Sequence, residues 1–311
     1  MAEQSLTTST NLTRRPAVAA QPGLFKSARF QENFIRTVAT IIATAGLVVV
    51  MFPIFWMLST SLKSQLEAFK MPPIWIPKTI HWENYVDALT FNPFGLYALN
   101  TAYFTIMVVI AEIVANSFIA FGFARLRAPG RNFLFFFVLA TLMIPGEVTL
   151  IPQYVLFARL DKLTPGIDWL NSFKPLIIPA WFGSAYLIFL LRQFYMSIPK
   201  EYDEAAIIEG ANWPTIWARI ILPLSKPALG VVAIMSFIFH WNLYQGPLIY
   251  INDNSKFTLS LGLQMFRTPF GGTPWHWYMA ASLAVIAPCI ILFFVAQRYF
   301  IQGIVVSGVK G

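Results

Sequence analysis

The sequence predicts an all-α polytopic membrane protein with six transmembrane helices. Three observations carry that prediction. The 311 residues are 57% hydrophobic and only 12% charged, about half the charge of a soluble domain, with a mean hydropathy of +0.61. Six apolar runs are long enough, or nearly so, to cross a bilayer as helices, which takes about 20 residues. The basic residues are unevenly shared between the segments that join those runs.

Residues 1–33 are rich in Ser, Thr, Ala and Asn, with Arg14, Arg15, Lys26 and Arg29, and read as a flexible cytoplasmic N-terminal tail. No apolar stretch directly follows the arginine pair, so the tail does not read as a signal peptide. Residues 34–300 hold the six spans. The first covers Phe34 to Ser61, without a charge after Arg36. The second, Tyr97 to Phe123, is interrupted by Glu112, and the third, Phe133 to Phe157, by Glu147. The fourth, Pro175 to Leu191, is short but uncharged. The fifth runs from Pro227 to near Ile251 and the sixth from Trp277 to Val295. Residues 301–311 form a C-terminal tail.

Placing the N-terminus in the cytoplasm puts 14 of the 22 basic residues inside. The short segment Arg125–Arg131, with three arginines and no acid, is the clearest vote. Both termini are then cytoplasmic, and these arginines are read as setting topology. The outside connection 63–95 contains four prolines and the interfacial residues Trp75 and Trp82, so it reads as compact and irregular. The connection Asp253–His276 carries Phe266, Phe270, Gly271, Gly272 and Trp275 and reads as a mobile, aromatic-tipped loop.

The cytoplasmic connection of about 194–226 is unusual, with four acids (Glu201, Asp203, Glu204 and Glu209) between two apolar runs. Pro199 suits a first helical turn, and the acids after it suit the positive end of the helix dipole. Gly210 ends that helix; Asn212 is an N-cap for a second, with Pro214 in its first turn. Leu222-Pro223 stops or kinks the second helix. The first helix has no clean apolar stripe: Tyr202, Ala205 and Ala206 share one side and Ile207 and Ile208 spread over the other. It is either held in a cleft of another protein or a connector lying on its own bundle.

The pattern Glu204-Ala205-Ala206, then Gly210, then Leu222-Pro223 resembles the EAA loop of binding-protein-dependent ABC transporter permeases. Glu209 stands where the family usually has aspartate. "MFPIFWMLSTSLKS", "MIPGEVTLIPQYVLF", "FHWNLYQGPLIYI" and the ending "QRYFIQGIVVSGVKG" look like segments of carbohydrate-type permeases, the last like the maltose-type second permease. Leu243 departs from the family, where an acid is common.

The resemblance implies a type I ABC importer permease fold. It implies that Glu204, Ala205, Ala206, Glu209, Gly210, Leu222 and Pro223 form a coupling helix and turn docking on a cytosolic ABC ATPase dimer. It also implies a second homologous permease chain and an extracytoplasmic solute-binding protein, probed by the loop holding Phe270, Gly271 and Gly272. The chain contains no G-x-x-x-x-G-K-[ST], so ATP is expected on a separate ATPase subunit and no cofactor on this one.

Asn242, Tyr244 and Gln245 either line the pathway and hydrogen-bond a sugar, or hold helices together. Glu147, between Pro145 and Pro152, favours a structural role in a broken helix, while Glu112 stays open. His81, His240 and His276 share no metal-ligand spacing, and Cys289 is alone, so neither a metal nor a disulfide is expected. No catalytic signature is present, no nucleic-acid partner is expected, and the bilayer of the cell (inner) membrane is the environment. The leading function is a sugar importer's permease; the alternative is a permease for a polyamine, phosphate or glycerophosphodiester. A secondary transporter is disfavoured by the coupling loop.

Overall fold

A computed structural model describes residues 28–267 and 272–308. The chain divides into two units, Met1–Phe55 and Trp56–Gly311. Among the described residues all regular structure is helical. Among the described residues four helices are long and apolar enough to cross a membrane, or up to six spans if each of two sharply bent helix pairs counts as one.

The first unit holds most of α1 (Ala28–Ser61), which starts ahead of the predicted Phe34 and contains Pro53. In the second unit the proline-rich connection is more ordered than expected, with α2 (Gln65–Ala68) and α3 (Glu83–Phe91). The buried Asn84 side chain donates to the carbonyls of Ser61 and Lys63, both at 2.9 Å, which fixes the chain leaving α1 against α3.

The central element is α4 (Phe94–Arg125). Its Ala111, Ala115, Ser117 and Ala120 are buried, and such small side chains let neighbouring helices approach closely. Onto it pack α8 (Ala185–Ser197) and α12 (Lys226–Trp241). The last helix, α15 (Trp275–Gly308), packs on α12 and α3 and continues through residues 301–308 of the expected tail. The core has one cluster around Phe121, Leu191, Tyr195 and Val232 and another around Phe94, Tyr97, Trp241 and Ala281.

Prolines decide where the spans break. The third span is two helices, α5 (Arg131–Ala140) and α6 (Gly146–Leu163), bent by 98°. Pro145 has no N–H for the Thr141 carbonyl, and Ile144 before it is extended, as a residue preceding proline prefers. The fourth span is longer than predicted, Lys174–Ser197, made of α7 (Lys174–Ile177), a 3₁₀ turn and α8. Gly183, between the 3₁₀ turn and α8, takes φ 86°; a Cβ would also lie 2.9 Å from Ile119.

The fifth span is not continuous to Ile251. Helix α12 stops at Trp241, and α13 (Gln245–Tyr250) follows an irregular step at 242–244. Pro247 cannot donate to the Leu243 carbonyl; the Ser260 hydroxyl donates to it instead at 2.7 Å. Ser260 sits on α14 (Leu259–Gln264), so the connection after Asp253 contains a packed helix. Phe266, expected near a loop tip, is core: it is 1% exposed and stacks on Phe91 and Phe94.

Candidate functional site

The connection between the fourth and fifth spans folds as helix, glycine turn, helix. Helix α9 (Glu201–Ile208) starts after Pro199, which lies just outside the first turn. Gly210 takes φ 83°, a left-handed conformation that side-chain-bearing residues rarely adopt. The Asn212 side chain caps α10 (Trp213–Ile216) by accepting from Thr215 N at 3.0 Å. A π-helical turn over Trp217–Ile221 leads into α11 (Leu222–Leu224). The pair formed with α12 is then bent by 80° around Ser225. Pro223 and Pro227, four apart, each remove a helical N–H here. The buried Ser225 donates to Ile221 O with both its hydroxyl, at 2.6 Å, and its backbone N–H, at 3.0 Å.

Only Asp203 and Ala206 of α9 are buried against the chain. Glu204, Ala205, Glu209 and Gly210 are exposed, as are Tyr202 and Ile207, and Ile208 is 85% exposed. Leu222 is half-buried and Pro223 exposed. The helix therefore rests on its own bundle by one narrow edge and turns both acids and aliphatics outward.

That edge is held by a residue the sequence reading assigned to topology. Arg125, at the end of α4, is buried, with Nε 3.2 Å from Asp203 Oδ2. Its terminal nitrogen donates to Ile198 O at 2.8 Å. Burial pushes the Asp203 carboxyl above its ordinary range, and the Arg125 charge opposes that shift. Arg125, Arg127, Lys200, Asp203, Glu204 and Trp213 surround a 630 Å³ cavity at this joint.

The second feature is a 710 Å³ cavity among α6, α7, α12 and α13. It brings together the predicted pathway residues Asn242, Tyr244 and Gln245 with Glu147 and Gln153. The Asn242 amide donates to Ile238 O at 2.8 Å and reaches Cys289 Sγ at 3.7 Å, while the residue remains exposed. Glu147 lies in the first turn of α6, just after the break at Pro145, exposed and lining the cavity, where the dipole favours its charge. Phe239, which opens the segment FHWNLYQGPLIYI, lines both this cavity and a second, 220 Å³ pocket that also holds Glu112, Ser184, Ser236 and His240. Of the loop residues predicted to face outward, Gly272 is exposed at φ 84°; Phe270 and Gly271 lie outside the described residues. No cluster of His, Cys, Asp or Glu able to hold a metal occurs among the described residues.

A helical bundle broken at prolines around a largely apolar cavity that gathers a few polar side chains, with an outward helix–glycine–helix joint, defines a membrane transport component. The chain belongs to the family of binding-protein-dependent transport system inner membrane components, whose profile matches residues 113–306. It is 32% identical over 268 residues to an arabinooligosaccharides transport system permease of Halalkalibacterium halodurans, covering 85% of this chain and 92% of that one. It is 32% identical over 269 residues to an sn-glycerol-3-phosphate transport system permease of Pectobacterium atrosepticum, covering 84% and 93%. In structure it resembles a chain of a bacterial ABC transporter that imports the acidic polysaccharide alginate, with a TM-score of 0.73 at 22% identity over 87% of this chain and 98% of that one. The protein is thus an ABC importer permease, a transport subunit and not an enzyme.

Proposed function

We propose that this chain forms half of the translocation pathway for a sugar or oligosaccharide, in the cytoplasmic (inner) membrane with both termini inside. The observation that carries the coupling part is α9, whose inner edge is pinned by Arg125 to Asp203 while Glu204, Ile207 and Ile208 face outward. A short helix so presented suits a groove on a cytosolic ATPase dimer, with Glu204 in contact, Ala205 permitting close approach and Ala206 seated on the bundle. Glu209 and Gly210 make the turn, and Leu222 and Pro223 pass its movement into α12 around Ser225. ATP is bound by that separate subunit. A second homologous permease chain completes the pathway, and the two halves rock to give alternating access. The segment with Phe270, Gly271 and Gly272 meets a solute-binding protein outside.

Asn242, Tyr244 and Gln245 supply hydrogen-bonding groups to the pathway wall. The sugar class is supported by the relative named for arabinooligosaccharides. A second reading, a phosphate-ester solute, is favoured by the relative named for sn-glycerol-3-phosphate at the same identity.

The test is affinity purification of this chain from its host membranes in mild detergent, with mass spectrometry of what accompanies it. An ATPase, a second permease and a solute-binding protein are expected, and the binding protein is then screened for its ligand. Recovery of this chain alone, even after crosslinking, overturns the reading.

A further inference from the structure

The pocket behind Phe239 has no role in the coupling mechanism, yet it gathers Glu112, Ser184, Ser236 and His240 within a mostly apolar wall. Glu112 on α4 is 9% exposed, and its Oε2 is buried without a hydrogen-bond partner. Such a group in a bundle interior costs several kcal/mol by insertion scales unless something satisfies it, which makes it a functional candidate by default.

The other lining groups show what is missing. His240 Nδ1 lies 2.9 Å from the Ser236 carbonyl oxygen, so that nitrogen carries the proton it donates. In the neutral ring Nε2 is then an acceptor. Ser184 spends its backbone N–H on Asn116 Oδ1 at 2.6 Å and lines the pocket. The unmet group in the set is an acceptor, the Glu112 carboxyl, beside the hydroxyl-bearing residues Ser184, Tyr186 and Ser236, and the rings of Tyr186 and Phe239 border the pocket. Neither this pocket nor the 710 Å³ cavity beyond Phe239 is lined by a lysine or arginine, and each contains one glutamate.

We infer that the Glu112–His240 pocket is a subsite for one neutral polyhydroxyl unit, its hydroxyls donating to the Glu112 carboxylate and His240 Nε2 while an aromatic ring covers a sugar face. The inference rests on the reading of this chain as an importer permease and narrows its substrate class. At 220 Å³ the pocket falls below the roughly 300–1,000 Å³ of sites for whole small molecules. It takes a single unit and not a chain. A carboxylate in a low-dielectric site repels a phosphate ester strongly, so the subsite separates the two solute classes that the relatives' names leave open.

The experiment uses the complete importer in lipid nanodiscs without its binding protein. Saturation-transfer NMR titrates a neutral arabino-oligosaccharide and sn-glycerol-3-phosphate against wild type, Glu112→Gln and His240→Gln. The wild type should bind the sugar about 100-fold more tightly than the phosphate ester. Glu112→Gln should weaken the sugar about tenfold, because a charged acceptor becomes a neutral one, and should narrow the gap to the ester. His240→Gln carries the test if Glu112→Gln does not assemble. Equal binding of the two ligands by wild type overturns the inference, as does unchanged sugar affinity in an assembled variant. Glu112-dependent binding of sodium or ammonium ions that excludes the sugar also overturns it, in favour of a cation site. ATP hydrolysis stimulated by the loaded binding protein is measured on the same samples. Its absence in wild type counts against the importer reading; its presence with unaltered sugar binding counts against the subsite alone.

Discussion

Arg125 Nε stands 3.2 Å from Asp203 Oδ2, with the two side chains 2% and 7% exposed. One charge ends the central helix and the other lies in the first turn of the outward helix α9. The same guanidinium donates to Ile198 O, on the strip of chain that enters α9. A single buried cation thus sets where the joint sits on the bundle.

Removing that cation leaves a buried carboxylate uncompensated. Arg125→Gln should destabilise the joint by about 3 kcal/mol and reduce ATP-driven uptake more than it reduces membrane insertion. Proteolysis at 198–212 and uptake in proteoliposomes check it. Full uptake with an unaltered digest would mean that the pair is incidental.

The pH dependence of that variant has a definite sign. Burial raises the Asp203 carboxyl above its ordinary value of 3.8, and Arg125 lowers it. Without Arg125 the value rises further. A raised folded value means stability that is full below the unfolded value and lost as pH climbs through the folded one. The penalty of Arg125→Gln should therefore be smallest in mild acid and grow toward neutral pH. Melting temperatures at pH 5 and pH 8, compared with wild type, decide it; a penalty that shrinks with rising pH contradicts the assignment.

Glu204 and Gly210 test the outward face separately. Glu204 is exposed and Gly210 holds φ 83°. Glu204→Lys should abolish coupled uptake while leaving insertion unchanged and stability within about 0.5 kcal/mol of wild type. Gly210→Pro should uncouple as well, because proline cannot adopt that φ. Normal uptake in both variants refutes the coupling role of the loop.

Ser260→Ala removes the donor that serves the Leu243 carbonyl at the Pro247 break. The expected cost is about 1–3 kcal/mol for an unmet buried acceptor, with a raised KM for uptake because Asn242, Tyr244 and Gln245 lose their support. An unchanged KM shows that the step at 242–244 is held by other contacts.

Gly262→Ala places a methyl group 2.5 Å from the Tyr97 ring. Tyr97 is 1% exposed and fixed among Phe94 and Phe257, so it cannot withdraw freely. A loss of about 1–3 kcal/mol from overpacking is expected, read as a lower melting temperature of the purified complex. No change would mean that the ring shifts without strain.

Much was legible in the sequence because it is local. Apolar run length fixed the membrane class, and the Gly210 turn, the Asn212 cap and the proline positions followed from backbone chemistry that neighbours cannot override. The EAA pattern located the joint for the same reason: its spacing lies within one stretch of chain. The tertiary structure decided the rest. Arg125 looked like a topology signal because its partner is far along the chain. Phe266 looked like a loop tip because its partners, Phe91 and Phe94, precede it by a whole bundle. Glu112, His240 and Phe239 came to line one pocket only when α4 and α12 packed together. Sequence spacing encodes the turn, the cap and the span; which buried charge meets which is settled by packing alone.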